Sequence, residues 1–196
     1  MRLSCYLIVF RGFIVRIKSR WSKKGKTHTI EEIAGAVAFI NWRIAGNCLL
    51  SLENNDFQTD THEQRLSIIS EFLIFTIHMI DRMTIENFDE NERVRFITEL
   101  VTKTAKHLED NKRDLVGSGD YREEFIARLN ERINEYSEFS YDEKEGPSFP
   151  MKRFFGDKMA LIMGDKNNKW VADQIIEIEV RDIMSHLRKS VPNLFK

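Results

Sequence analysis

Proline is nearly absent from this chain, and its distribution says more than its number. All three prolines, Pro147, Pro150 and Pro192, fall at or beyond position 147. The stretch from Thr27 to Gly146 therefore holds no obligatory helix breaker. Cysteine is almost as scarce, with only Cys5 and Cys48. No CxxC pair or Cys/His cluster can be built from two distant cysteines, which excludes a zinc finger within this chain. Both sit among apolar neighbours, as small buried hydrophobes do. Nothing in that usage demands an oxidising compartment.

Glycine occurs singly, nine times in 196 residues. No phosphate loop, dinucleotide fingerprint or nucleophile elbow can be assembled from such glycines, which disfavours phosphate-cradling enzymes and Ser-type hydrolases. No run reaches the roughly 18 apolar residues of a membrane-spanning helix. Leu3 to Ile17 comes nearest, but Arg11 and Arg16 interrupt it. No small-residue cleavage site follows, so a secretory signal is not expected.

Acidic residues are missing from one region only. Met1 to Lys26 contains eight basic residues and no acid, whereas the remainder holds 22 basic residues against 31 acidic ones. The formal net charge of -1 thus conceals two oppositely charged parts. The composition places residues 1–28 as a basic N-terminal extension and 29–196 as a single helical domain.

What is present after position 28 is helical punctuation. Thr29 with Glu32, Asp60 with Glu63, Asp89 with Glu92, and Asp120 with Glu123 each have capping-box spacing. Behind the first, Ile33, Val37, Ile40 and Ile44 recur at helical spacing. The second opens a helix through Phe72, Phe75 and Ile80 that is apolar around most of its circumference, which predicts a central position. Val94, Ile97, Val101, Ala105 and Leu108 form the expected seam of a third helix, stopped by Gly117 and Gly119. Phe125, Ile126, Leu129, Ile133 and Tyr136 face inward on a fourth, while Asn130 to Tyr136 otherwise reads as a solvated face. Glu138 to Pro150 reads as a polar loop. A short helix through Phe154, Phe155 and Met159 follows, and a final one runs from Asn168 to about Lys189. Within it Ile176 to Val180 alternates like a strand, but an isolated strand would have no partner, so helix is the reading. Trp42 and Trp170 are expected in core or rim packing. The fold class is all-α, a single-domain bundle of five or six helices.

Two constellations carry candidate chemistry. His78 with Asp81, His107 with Asp110, and Asp182 with His186 each share a helical face, with Glu71 one heptad before His78. Imidazole and carboxylate on facing helices can bind iron or manganese. The Glu-x-x-His pairs that helical di-iron proteins use are absent, however, and a lone His on an apolar face is more often satisfied by a hydrogen bond. No metal and no cofactor is favoured, and a metal-binding bundle or enzyme is the alternative reading.

The second constellation is the N-terminal extension. On a helix, Leu3, Tyr6, Leu7, Phe10, Phe13, Ile14 and Ile17 cluster on one side, with Arg11 and Lys18 at one edge and Arg2, Arg16 and Arg20 at the other. Trp21 and the Lys23, Lys24, Lys26 cluster follow. Leu7, Phe10, Arg11, Ile14, Arg16, Lys18, Trp21, Lys23 and Lys24 are the candidate contacts to an anionic membrane surface. Other readings stay open: docking on the bundle, a nucleic-acid contact, a mitochondrial transit peptide, or a start further along the chain. The acidic remainder disfavours nucleic acid. The expected function is a non-enzymatic interaction protein of adaptor or assembly-chaperone type with a protein partner, cytoplasmic and peripheral to a membrane.

Overall fold

The computed structural model describes residues 28–195, and the candidate membrane contacts between Leu7 and Lys24 lie outside them. The described chain is an all-α bundle with one minimal hairpin. Its main helices are α1 (Ile30–Asn54), α2 (His62–Thr84), α3 (Glu90–Val116), α4 (Tyr121–Ser137) and α5 (Phe149–Met163). A last helical rod comprises α6 (Asn168–Gln174), a π turn (Ile175–Glu179) and α7 (Val180–Ser190).

Helix α2 is the axis of the packing. Every residue from Ile68 to Ile80 is buried, and α1, α3, α4, α5 and α7 all pack against it. A helix with apolar groups all round is stable only when surrounded. Phe72, Phe75 and Phe155 anchor the α2–α5 contact, the rings of Phe75 and Phe155 stacked 4.2 Å apart. At the α5–α6 crossing a Cβ on Gly156 would sit 3.1 Å from the Cα of Ala172. A larger residue there would require the two helices to move apart by a few tenths of an ångström.

Caps follow the expected spacings at two of four sites. Thr29 and Glu32 form a full capping box, as do Asp89 and Glu92. The predicted Asp60–Glu63 box is displaced by one residue: Thr61 is the N-cap of α2 and accepts the Gln64 N–H at 3.1 Å. Asp60 pairs instead with Lys166 at 2.9 Å. Asp120 precedes α4 but its side chain makes no capping bond.

Three further expectations need correction. Residues 138–150 are more than a polar loop, because Tyr141–Asp142 pairs antiparallel with Gly146–Pro147, and Gly146 and Pro147 are buried. Asp142 Oδ1 accepts the N–H groups of Lys144 and Glu145, which closes the turn. Trp170 is 63% exposed, because Val171 and Ile175 take the inward positions of its helix. Val94 is 62% exposed, because Phe96, Leu100 and Thr104 carry the core-facing side of α3 there.

The alternating segment is helical, as read, but not regular. The Val180 N–H donates to the Ile175 carbonyl, a π bond spanning five residues. By mean hydropathy and length α1 qualifies as a membrane span, although Asn41 and Arg43 interrupt its apolar run. In this structure 56% of its apolar window is buried, with Val37, Ala38, Ala45 and Leu52 packed in the core.

Candidate functional site

The six metal-site candidates are not brought together. Asp81 accepts two hydrogen bonds from Arg93, at 2.8 and 2.6 Å, across the α2–α3 corner. Asp110 pairs with Lys106 one turn earlier. Asp182 and His186 are exposed on α7. His107 lies against Trp42, ring centroids 6.2 Å apart, and burial lowers its pKa. Among the described residues no group of three or more His, Cys, Asp or Glu is placed to hold a metal ion.

The side chains that do converge lie in two buried polar clusters. The first joins α2, α4 and α5. Glu71 is fully buried at the centre of α2. Arg132 donates from Nε to Glu71 Oε1 at 2.8 Å and from Nη1 to Glu135 at 2.8 Å, and Lys158 donates to the other oxygen of Glu135 at 2.9 Å. Two carboxylates and two cations thus alternate from core to surface. Burial acts to lower the Arg132 pKa, but Glu71 and Glu135 outweigh it and hold the guanidinium firmly charged. Burial acts to raise the Glu135 carboxyl, and the hydrogen bonds from Lys158 and Arg132 win and lower it.

Tyr136 and His78 close this cluster on its inner side. Their rings stack 5.2 Å apart. Burial, reinforced by the nearby Glu71 charge, pushes the Tyr136 phenol well above its usual value. Burial, with a smaller contribution from Arg82, lowers His78 to about 4 against the opposing pull of Asp81. His78 is therefore a neutral ring at pH 7. Asn130 to Tyr136 is not merely a solvated face, since it delivers Arg132 and Tyr136 to the core. The signal available in the sequence was Glu71 in the middle of an apolar helix, which demands a partner. Which cation would answer it was not legible.

The second cluster sits at the π turn. Glu179 is buried and accepts hydrogen bonds from Ser51 Oγ at 2.7 Å and Gln174 Nε2 at 3.0 Å. Burial raises its pKa, and the Ser51, Gln174 and Cys48 hydrogen bonds only partly oppose that. Burial and the Glu179 charge drive the Cys48 thiol well above its usual value, so it is a poor nucleophile. The widened turn is what aims Glu179 at α1, and such turns recur at functional sites.

Neither cluster contributes a residue to the lining of two surface depressions. The larger, about 510 Å³, is lined by Asp60, Thr61, Glu63, Gln64, Ser67, Arg128 and Ile162. The smaller, about 310 Å³, is lined by Asp157, Ala160, Leu161, Gly164 and Asp165. Chemically, the first cluster is a charge lock between three helices. The second is a hydrogen-bond clasp between α1 and the last rod.

The chain matches no family model, no curated protein and no solved structure.

Proposed function

We propose that the protein is a non-enzymatic interaction protein, of adaptor or assembly-chaperone type, held at the cytoplasmic face of an anionic membrane by its N-terminal residues. The observation that carries this reading is the charge partition: eight basic residues and no acid before Thr27, interleaved with an apolar stripe. Cations at both edges of such a stripe suit a leaflet surface, where the apolar side enters the headgroup boundary and the cations meet lipid phosphates. A protein partner is favoured by exposed large side chains on the bundle, Phe149, Leu161 and Trp170 among them.

The test is flotation of the full chain on vesicles of phosphatidylcholine with and without phosphatidylserine, over a salt series. Binding should require the anionic lipid and fall as salt rises. Each basic residue near the surface is worth about 1 kcal/mol, so reversing Arg16, Lys18, Lys23 and Lys24 to Glu should weaken binding by on the order of a hundredfold or more. Equal flotation on neutral vesicles, or no loss on charge reversal, would overturn the membrane contact. A gel shift with the same chains decides whether nucleic acid is the preferred anion.

A further inference from the structure

The seam of α3 is only half covered. At 100° per residue Glu90, Val94, Ile97, Val101, Ala105 and Leu108 fall within about 80° of arc. Ala105 and Leu108 are buried. Ile97 and Val101 are half-buried and Val94 is exposed. The cause lies in α4. It packs on the last turns of α3, where Lys112 meets Glu124 and Glu109 meets Arg122. Its second half is drawn towards α2 and α5 by Arg132, Glu135 and Tyr136. The apolar strip therefore continues past its cover towards the α3 N-terminus.

Two observations point to what covers it. The first is where the described chain begins. Helices α1 and α3 run parallel, since Glu31 pairs with Arg95, Gly35 faces Lys103 and Trp42 faces His107. His28 therefore stands beside the first turn of α3. Residues 21–27, if extended, reach roughly 23–25 Å, enough for the segment before them to turn back along the strip. The second is charge. Glu86, Asp89, Glu90 and Glu92 are exposed around the strip's open end. Of the cations on the first turns of α3, Arg93 is paired with Asp81 and Arg95 with Glu31. Leu161 and Trp170 are also exposed, but they lie near the far end of α1, where Gln58 is hydrogen-bonded to Asn167.

We propose that the basic amphipathic segment of this chain, residues 3–20, docks in cis on the Val94–Ile97–Val101 strip, and that this docking competes with its binding to an anionic leaflet. The competition rests on the membrane reading above; the docking does not. The apolar stripe of Leu7, Phe10 and Ile14 meets the strip, and the cations at its edges meet the α3 carboxylates. The same apolar side chains would enter the lipid boundary, so one segment cannot serve both surfaces at once.

The test uses the full chain in dilute solution with a zero-length carbodiimide, followed by peptide mapping. Docking predicts an amide cross-link from Lys18, within the docked segment, to Glu86, Asp89, Glu90 or Glu92 in the monomer-sized species; links from Lys23, Lys24 or Lys26, which the chain already tethers near His28, do not count. Cross-links confined to dimer-sized species would assign the strip to a second copy and overturn the proposal. Cross-links only to other acids, such as Asp157 or Asp165, or none, would overturn it too. Val94→Ser, at an exposed position, should raise flotation on anionic vesicles about fivefold by weakening the competing site, and Val94→Leu should lower it. Unchanged flotation of both variants, with the wild type floating, would remove the competition. If the wild type does not float, the membrane reading falls and the cross-link map alone decides the docking.

Discussion

Glu71 and Glu179 are both glutamates buried in the middle of a helical rod, and the molecule accommodates them in opposite ways. Glu71 faces Arg132, 2.8 Å away, and an alternating chain of charges leads from it to the surface. Among the described residues no cation is hydrogen-bonded to Glu179; its partners there are Ser51, Gln174 and Cys48. A carboxylate can be buried with an opposite charge or pushed towards its neutral form. The first solution makes the partner indispensable. The second makes the charge itself dispensable.

The sharpest way to break that contrast is to remove the cation. Arg132→Met leaves Glu71 buried without its charge, and chemical unfolding should show a loss of about 3–5 kcal/mol. The double variant Glu71→Leu, Arg132→Met should recover most of that loss, because two apolar side chains replace two desolvated ions. A double variant no better than Arg132→Met would mean that the network contributes more than charge balance.

Next in size is the acid response of His78, which borders the Glu71 cluster. Its folded pKa is lowered to about 4 from an ordinary 6.5. The unfolded chain therefore binds the proton more readily across that window, and stability falls as pH drops from 6.5 through 4. The loss should reach on the order of 3 kcal/mol by pH 4. His78→Gln should flatten the slope in urea midpoints measured between these values. An unchanged slope would assign the acid response to other groups, His107 first among them.

Glu179 should give the smallest effect and the opposite sign. Its folded pKa is raised, so its favourable contribution is complete at low pH and is lost as pH rises through the folded value. Glu179→Gln mimics the neutral form and keeps an oxygen for Ser51. It should alter stability at pH 7 by less than about 1 kcal/mol, and compare better with wild type at pH 7 than at pH 4. A destabilisation as large as that of Arg132→Met would erase the distinction between the two carboxyls.

Much of the fold was legible because it is written locally. Thr29 with Glu32 and Asp89 with Glu92 announce helix starts through bonds between residues three apart. The all-round apolar character of residues 68–80 marks α2 as the central helix without reference to any neighbour. The capping pattern misled at Asp60, where Thr61 and Gln64 offer an equivalent pair one residue later, and no local rule ranks the two.

The candidate site was mostly illegible, since its pairs are distant in the chain. Glu71 meets Arg132 across 61 residues and Ser51 meets Glu179 across 128. Periodicity groups the residues of one helix face and cannot say which foreign helix arrives there. It correctly put Val94, Ile97 and Val101 on one seam with Ala105 and Leu108, yet could not foresee that α4 would leave the first of them exposed.

The sequence by itself thus determined the helical class, the central helix, most helix ends and the opposite charges of the two parts of the chain. These follow from backbone hydrogen bonding and apolar periodicity, which act over a few residues. Only the tertiary structure decided which buried carboxylate received a cation, which was left to neutral donors at a π turn, and where the α3 seam loses its cover. Those outcomes depend on how rods of fixed shape cross, and a crossing is a property of two surfaces that no single stretch of sequence contains.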